Sequence, residues 1–161
     1  IMPVGGKISA SFSADMPVFS ITMNDYRTHM GVDIDAPIGT EVRCCADGII
    51  ESVYDDDMSG RCVRIGHSGG YATVYRGLDP DSTAALAVGS AVSGGDIIAD
   101  VGDGALFETA QSPHLHLDYN DRKTLTASRI LRFVRQSLIL SEIGWHDLIE
   151  SYRIFRIYYS P

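Results

Sequence analysis

Basic residues are scarce in this chain, and long apolar runs are missing. Thirteen Lys and Arg stand against 21 Asp and Glu in 161 residues, a formal net charge of −8. Binding to nucleic acid or anionic lipid needs an excess of basic side chains, so both are unfavourable partners. No stretch approaches the roughly 18 to 20 apolar residues of a membrane helix, and no signal-peptide pattern is present. Because the chain begins at Ile1, we expect a membrane anchor or signal upstream of it.

Cysteine is also sparse. The three cysteines, Cys44, Cys45 and Cys62, form an odd set that contains no CxxC pair. This pattern supports neither a disulfide framework nor a cysteine zinc site. We predict that all three are buried packing residues, a common use of free cysteine.

Glycine is abundant, with sixteen residues that lie mostly before residue 105 and alternate with Val and Ile. This distribution predicts short strands joined by tight turns, and therefore an all-β fold. Strand-sized segments, each bounded by Gly, Pro, Asp or Ser, lie at residues 31–35, 40–46, 48–55, 62–67, 71–78, 90–102 and 114–119. Residues 1–28 fit a first strand and a loop that ends at His29, and residues 79–92 fit a loop with one short helical turn.

The C-terminal part has a different pattern. Apolar residues recur near helical spacing in residues 128–140, which predicts a short C-terminal helix followed by a segment that the pattern does not assign. We therefore expect one domain over residues 1–132 and a C-terminal extension over residues 133–161.

Two short motifs carry residues suited to metal chemistry. In residues 29–33, His-Met-Gly-Val-Asp, an imidazole and a carboxylate stand four positions apart. Alone this spacing is weak, because most such pairs are a surface histidine and a turn aspartate. In residues 113–117, Pro-His-Leu-His-Leu, strand alternation places His114 and His116 on one face, about 6 to 7 Å apart. Unpaired imidazoles are costly on an apolar face, so a metal or catalytic use stands beside the packing alternative.

A catalytic zinc site uses three protein ligands and leaves the fourth position to water. His29, Asp33 and one of His114 and His116 would supply such a set. Amide hydrolysis is the natural chemistry of a zinc ion held in this way.

The order of the motifs resembles that of the LytM/lysostaphin family of cell-wall zinc endopeptidases. The resemblance covers residues 3–132 and implies a mainly antiparallel twisted sheet with a duplicated hybrid motif. It implies that His29, Asp33 and His116 bind Zn²⁺ and that His114 assists catalysis. Between the two histidine motifs, the segments that carry it are residues 39–42, 46–50, 63–67, 71–75 and 88–89.

The chain departs from the family at one position. The family usually has Tyr-x-His-Leu, where the histidine orients or deprotonates the attacking water, but this chain reads Tyr75-Arg76-Gly77-Leu78. Gly77 cannot transfer a proton, and loss of a general acid or base typically lowers the rate about 10²- to 10⁴-fold. Arg76 could substitute electrostatically but cannot act as a base at neutral pH.

Residues 23–29 and 104–110 further resemble a degenerate, sporulation-specific group of LytM domains, that of stage II sporulation protein Q and its clostridial relatives. The resemblance implies an extracytoplasmic, membrane-anchored module in the forespore intermembrane space that binds a partner sporulation membrane protein. The alternative is an active zinc endopeptidase that cleaves peptidoglycan peptide cross-links. A lipoyl-like domain or carbohydrate carrier would explain the glycine-rich strands but not the His/Asp/His set.

The remaining polar candidates favour structural roles. We expect His67 to end a strand and hold a turn, and His146 to lie at the surface. Residues 55–57, Asp-Asp-Asp, lack the spacing and the distal Glu of a calcium loop, which predicts a solvated turn.

Overall fold

The computed structural model describes residues 1–106 and 110–121, and this part of the chain forms eleven β-strands and no α-helix. The all-β class expected from the sequence is therefore confirmed. The strands are β1 (Ile8–Ala10), β2 (Ser13–Ser20), β3 (Asp25–His29), β4 (Gly31–Asp35), β5 (Glu41–Arg43), β6 (Gly48–Asp56), β7 (Gly60–His67), β8 (Tyr71–Leu78), β9 (Ala91–Val92), β10 (Ile97–Asp100) and β11 (His114–Asp121).

Seven strands form the main sheet, in the order β1-β4-β11-β8-β7-β6-β9, and all of its pairings are antiparallel. Strands β5 and β10 form one two-stranded sheet, and β2 and β3 form another. The strand β11 lies between β4 and β8, so its residues have a neighbour on each side. This central position brings segments distant in sequence next to the second histidine motif.

Tight turns join the long strands β6, β7 and β8. Gly69 and Gly70 connect β7 to β8 with φ angles of +90° and +84°, a region that glycine enters at little cost. Between β6 and β7, Asp56 Oδ1 accepts the backbone N–H groups of Met58 and Ser59 at 3.1 and 2.8 Å. The turn lies at residues 57–59, whereas Asp55 and Asp56, predicted to belong to it, are the last two residues of β6.

The core joins the main sheet to the β5–β10 pair. Val42 and Ile98 from the small sheet belong to the same apolar cluster as Ile65 and Leu115 from the main sheet, and all four are buried. Burying a side chain of this size contributes about 1.5 to 3 kcal/mol. The core thus fixes the strands whose other faces carry the polar site.

The three cysteines are free and buried, as predicted. Cys44 and Cys45 lie beside Tyr75, whose side chain is fully buried. The Tyr75 hydroxyl accepts the backbone N–H of Cys45 at 2.8 Å. A polar atom inside the core therefore has a defined partner.

The N-terminal segment differs from the expected strand and loop. It forms β1 and the hairpin β2–β3, whose turn has Asn24 at φ +54° and its N–H 2.9 Å from the carbonyl of Ser20. Most side chains of β2 are exposed. A hairpin exposed on both faces has no reason to alternate apolar and polar residues, which is why the pattern was weak.

Two further expectations were wrong in detail. Residues 90–102 form two strands, β9 and β10, in different sheets, separated by a turn in which Gly95 has a φ of +99°. Residues 79–90 form the expected loop as successive turns, with N–H to carbonyl bonds of 3.3 Å from Thr83 to Pro80 and 3.0 Å from Leu86 to Thr83, but residues 91–92 belong to β9 instead of that loop. Glycine and proline-led turns interrupt both segments.

The predicted helix over residues 128–140 lies outside the described residues, and so do the boundary at residue 132 and the extension over residues 133–161. These remain predictions. In the described part of the chain, no helix is long and apolar enough to span a membrane.

Candidate metal centre

Three strands bring His29, Asp33 and His116 together. His29 is the last residue of β3, and the chain turns at Met30 directly into β4, where Asp33 is buried. Across the β4–β11 pairing, Asp33 is the direct partner of His116. His29 and Asp33 are close in sequence, and the β4–β11 pairing places His116 opposite Asp33. Three donor groups therefore lie close together.

The donor atoms have the separations that one metal ion requires. Asp33 Oδ1 lies 3.0 Å from His29 Nε2 and 2.7 Å from His116 Nδ1, and the two nitrogens are 3.3 Å apart. Ligand atoms at 2.0 to 2.1 Å from a tetrahedral zinc are separated by about 3.3 Å. The three side chains could therefore hold a metal with small adjustments.

The outer nitrogens of both histidines have hydrogen-bond acceptors. His29 Nδ1 lies 2.9 Å from the carbonyl oxygen of Ser11, and His116 Nε2 lies 3.0 Å from Oδ1 of Asp118. A ring N–H donated outward leaves the lone pair of the other nitrogen directed inward. Both imidazoles are therefore held in the orientation that a metal ligand needs, with the inner nitrogens directed at Asp33.

The electrostatics of the site favour an ionised aspartate. Burial alone would raise the pKa of the Asp33 carboxyl, but hydrogen bonds from His116 and His29 outweigh it and hold that pKa well below its usual range. Burial would lower the pKa of His29, yet the Asp33 carboxylate raises it. Without a metal, the two imidazoles therefore hydrogen-bond to the Asp33 carboxylate through protons on their inner nitrogens. A metal ion must displace these protons, so protons and metal compete for the site.

His114 lies beside this trio and outside it. Its Nδ1 donates to the carbonyl of Ser112 at 2.7 Å, which directs the lone pair of Nε2 away from that carbonyl. Nε2 is 4.0 Å from Asp33 Oδ1, too far for a shared ligand position. The two histidines of the second motif are thus distinguished by geometry, which the sequence pattern alone left open.

Gly77 lies on β8 next to His114. A Cβ built on Gly77 would be 3.7 Å from the carbonyl oxygen of His114, and no other described residue, apart from its two chain neighbours, would come within 4 Å of it. The backbone there has a φ of +72°, and the Gly77 N–H donates to Ser59 at 3.0 Å. A side chain at this position would have room close to His114, and this chain has none there.

Two residues of the site have no role in the interpretation from sequence. Gly31, the central residue of the first motif, lies against the His116 ring, and Asp118 bonds to that ring. Asp118 continues the alternation of His114 and His116, a signal that could have identified it. Burial would raise the pKa of Asp118, but contacts with His116 and Arg76 lower it.

The trio lies in a cleft of about 820 Å³ between the main sheet and the β2–β3 hairpin. Val18, Phe19 and Ile21 line the hairpin side and are themselves 42%, 51% and 67% exposed. Arg76 and Asp118 line the opposite side. The site is therefore accessible through an opening with one apolar and one charged wall.

The other histidines do not enter the site. His67 ends β7, and its ring nitrogens bond to the carbonyl of Asp47 at 2.9 Å and the hydroxyl of Thr73 at 2.8 Å. It has the structural role expected from the sequence. His146 lies outside the described residues.

An antiparallel sheet that presents two histidines and a buried aspartate at metal-binding distances, beside a third histidine, defines a metallopeptidase-type domain. The chain belongs to Peptidase family M23, the LytM/lysostaphin type. The sequence model of this family matches residues 27–127. It is 35% identical over 96 residues, 60% of its length, to the DD-carboxypeptidase/endopeptidase Mpg of Neisseria meningitidis. Those residues are 21% of Mpg, so the chain spans about a fifth of this relative.

Two solved structures share the fold. A zinc containing peptidase from Vibrio cholerae is 27% identical, with a TM-score of 0.63 over 74% of this chain and 36% of that chain. SpoIIQ in the SpoIIQ–SpoIIIAH pore forming complex has a TM-score of 0.62 over 74% of this chain and 82% of that chain. Its identity is 20%, so this likeness concerns the fold. The predicted family and sheet architecture are confirmed.

Proposed function

We propose that this domain binds Zn²⁺ through His29, Asp33 and His116, that its peptidase activity is impaired, and that it acts mainly as a binding module outside the cytoplasm. In the part of the chain that the structure describes, no second non-ligand imidazole lies beside His114, and this observation carries the proposal. Residues 1–106 and 110–121 contain four histidines. His29 and His116 belong to the ligand trio, His114 lies beside it, and His67 is bonded elsewhere.

The donor set supports zinc as the metal. Two neutral imidazoles and one carboxylate are the ligands of a catalytic zinc site that keeps one position open. Both imidazoles are fixed by outer acceptors, and Asp33 is held ionised. When bound, zinc polarises a carbonyl group and activates water at neutral pH.

His114 is the remaining group able to transfer a proton. Because its Nδ1–H is donated to Ser112, Nε2 is the atom that can accept or return a proton. That atom is near enough to Asp33 to act on a group bound at the metal centre. One of the two imidazoles expected in a complete family member is therefore available.

Gly77 occupies the position where the second imidazole is expected. The family resemblance assigns an imidazole to this position, and the space beside the His114 carbonyl would accept one. Water in that space is a weaker acid and base than imidazole at neutral pH. We therefore expect the rate of peptide-bond hydrolysis to lie about 10²- to 10⁴-fold below that of a complete enzyme.

The β2–β3 hairpin supports a binding role. Phe19 and Tyr26 pair across the hairpin with ring centroids 5.3 Å apart, and both are more than half exposed. Apolar side chains exposed together mark surfaces that other proteins cover. We propose a partner sporulation membrane protein at the septal membranes, with this domain anchored and facing the intermembrane space.

An active endopeptidase is the second candidate. It is favoured by the 35% identity over 96 residues to Mpg, a DD-carboxypeptidase/endopeptidase. The substrate would then be a peptide cross-link of peptidoglycan.

One preparation distinguishes the two candidates. Metal content is measured on the purified domain, and release of soluble fragments from purified peptidoglycan is measured beside a complete M23 enzyme. We expect one zinc per chain and release near the background of His114→Ala. Release comparable to the complete enzyme, lost in His114→Ala, would establish the endopeptidase instead.

A further inference from the structure

Three charged or polar side chains lie on one face across the β8–β11 pairing. Arg76 on β8 is the direct cross-strand partner of His116 on β11, and Asp118 follows two residues after His116. Side chains alternate along a strand, so these three point to the same side of the sheet. They line the cleft together.

Asp118 bridges the other two residues with its separate oxygens. Its Oδ1 accepts the Nε2–H of His116 at 3.0 Å, and its Oδ2 accepts the Nε–H of Arg76 at 2.6 Å. The side chains of Arg76 and Asp118 are 26% and 15% exposed, so solvent screens this pair only partly. The carboxylate is therefore clamped between a metal-ligand candidate and a guanidinium group.

Arg76 also contacts the turn between β6 and β7. Its Nη1 lies 3.4 Å from the hydroxyl of Ser59, in the turn that joins β6 to β7. A second contact at 4.0 Å reaches the buried thiol of Cys62. The guanidinium group is planar and donates along fixed directions, so contacts at two of its nitrogens fix the direction of Nε–H.

We propose that Arg76 is a positioning residue of the metal centre, acting through Asp118 on His116. With Oδ2 bound to Arg76, the carboxylate plane is fixed and Oδ1 faces His116 Nε2. The ring then keeps its proton on Nε2 and directs Nδ1 toward Asp33 and His29. This inference rests on the proposed metal site.

A purely structural salt bridge is the competing explanation of the same contacts. An ion pair of this exposure contributes about 1 kcal/mol or less, and its loss would lower stability without changing the metal site. A positioning role predicts a change in metal affinity as well. Loss of an outer partner of a metal-binding histidine typically weakens affinity about 10- to 100-fold.

The chain offers a matched control. Arg64 on β7 bonds through Nε to Glu51 on β6 at 2.8 Å, with side chains 23% and 31% exposed. Both pairs join an arginine Nε to a carboxylate oxygen at similar exposure, but this one lies on β6 and β7, whereas the three candidate ligands lie on β3, β4 and β11. Arg64→Gln therefore measures what the loss of an ion pair alone does.

The test is zinc affinity, measured by competition with a chromophoric chelator, for the wild type, Arg76→Gln, Arg64→Gln and Asp118→Ala. We expect about 10-fold weaker binding for Arg76→Gln and wild-type affinity for Arg64→Gln. The double variant Arg76→Gln/Asp118→Ala should bind as Asp118→Ala does, because Arg76 acts through Asp118. Circular dichroism checks that each variant folds.

A second readout needs no metal. In the metal-free wild type, the Nε2–H proton of His116 should exchange slowly with solvent because Asp118 Oδ1 accepts it at 3.0 Å, and NMR should show faster exchange in Arg76→Gln. Wild-type zinc affinity and unchanged exchange of this proton in folded Arg76→Gln would overturn the positioning role. Zinc affinity that is unchanged in His116→Ala would instead overturn the metal site itself, and with it this inference.

Discussion

His116 packs its imidazole directly against the backbone of Gly31. A Cβ built on Gly31 would lie 2.4 Å from His116 Nε2 and 2.8 Å from the carbonyl oxygen of Leu117. Neither distance is possible between real atoms, so even a methyl group would displace the ring or the strand. The position of one candidate ligand thus depends on a missing side chain in the neighbouring strand.

Gly31→Ala should therefore weaken metal binding without touching a ligand. We expect at least about 10-fold lower zinc affinity, as for other changes next to a ligand, and about 1 to 3 kcal/mol lower free energy of unfolding from overpacking. Chelator competition and urea unfolding measure the two effects. Gly5→Ala is the control, because a Cβ there meets nothing within 4 Å. Wild-type zinc affinity in folded Gly31→Ala would contradict the prediction.

Much of the site follows from local spacing. Strand alternation placed His114 and His116 on one face, and the first motif placed His29 and Asp33 at the junction of β3 and β4. These relationships span a few residues, so a periodic pattern can report them.

The rest depends on sheet register, which no local pattern contains. Arg76 and His116 are 40 positions apart in sequence and meet only because β8 pairs with β11 in one particular register. The contact of Gly31 with the His116 ring likewise needs the pairing of β4 with β11. The β2–β3 hairpin was missed for a different reason, since exposure on both faces removes the alternation that identifies a strand.

Zinc should stabilise the folded domain in a way that depends on His116. At a free zinc concentration about 100-fold above Kd, binding adds about 2.7 kcal/mol to the free energy of unfolding. The melting temperature should then rise by roughly 5 to 10 °C and fall again on addition of a chelator. His116→Ala should lose this rise, whereas His114→Ala should keep it because His114 lies outside the ligand trio. The reverse result would mean that the two histidines have exchanged roles.

The cysteines should be unreactive in the folded protein. Burial raises the pKa of the Cys45 thiol to about 11 and also raises the pKa of Cys44 and Cys62. The thiolate is the reactive form, so at pH 8 both burial and the raised pKa slow the reaction. A thiol reagent should modify none of the three before unfolding and all three in denaturant. Rapid modification of the folded protein would show that one of them is accessible.

Removal of the Tyr75 hydroxyl should destabilise the core and leave the metal centre intact. In Tyr75→Phe the backbone N–H of Cys45 would lose its acceptor inside the core. An unsatisfied buried donor costs about 1 to 3 kcal/mol. Urea unfolding should show a loss in this range, with unchanged zinc affinity. A loss of zinc binding in the folded variant would show that the core and the site are coupled.

Restoring an imidazole at position 77 should raise peptidase activity. In Gly77→His the new side chain would start 3.7 Å from the carbonyl oxygen of His114. A general acid or base typically contributes about 10²- to 10⁴-fold to the rate. We expect peptidoglycan release to increase by a smaller factor than this, because the new imidazole will not be ideally oriented. The φ of +72° at this residue also opposes any side chain and should cost about 1 to 2 kcal/mol of stability.

Gly77→Asn separates these two effects. Asparagine tolerates a positive φ better than most residues and carries no group that titrates near neutral pH, so it reproduces the backbone cost without the proton transfer. Turnover of purified peptidoglycan should therefore rise in Gly77→His alone, and the rise should disappear in Gly77→His/His114→Ala. An equal rate in the wild type and folded, zinc-loaded Gly77→His would mean that a missing imidazole is not what limits this domain.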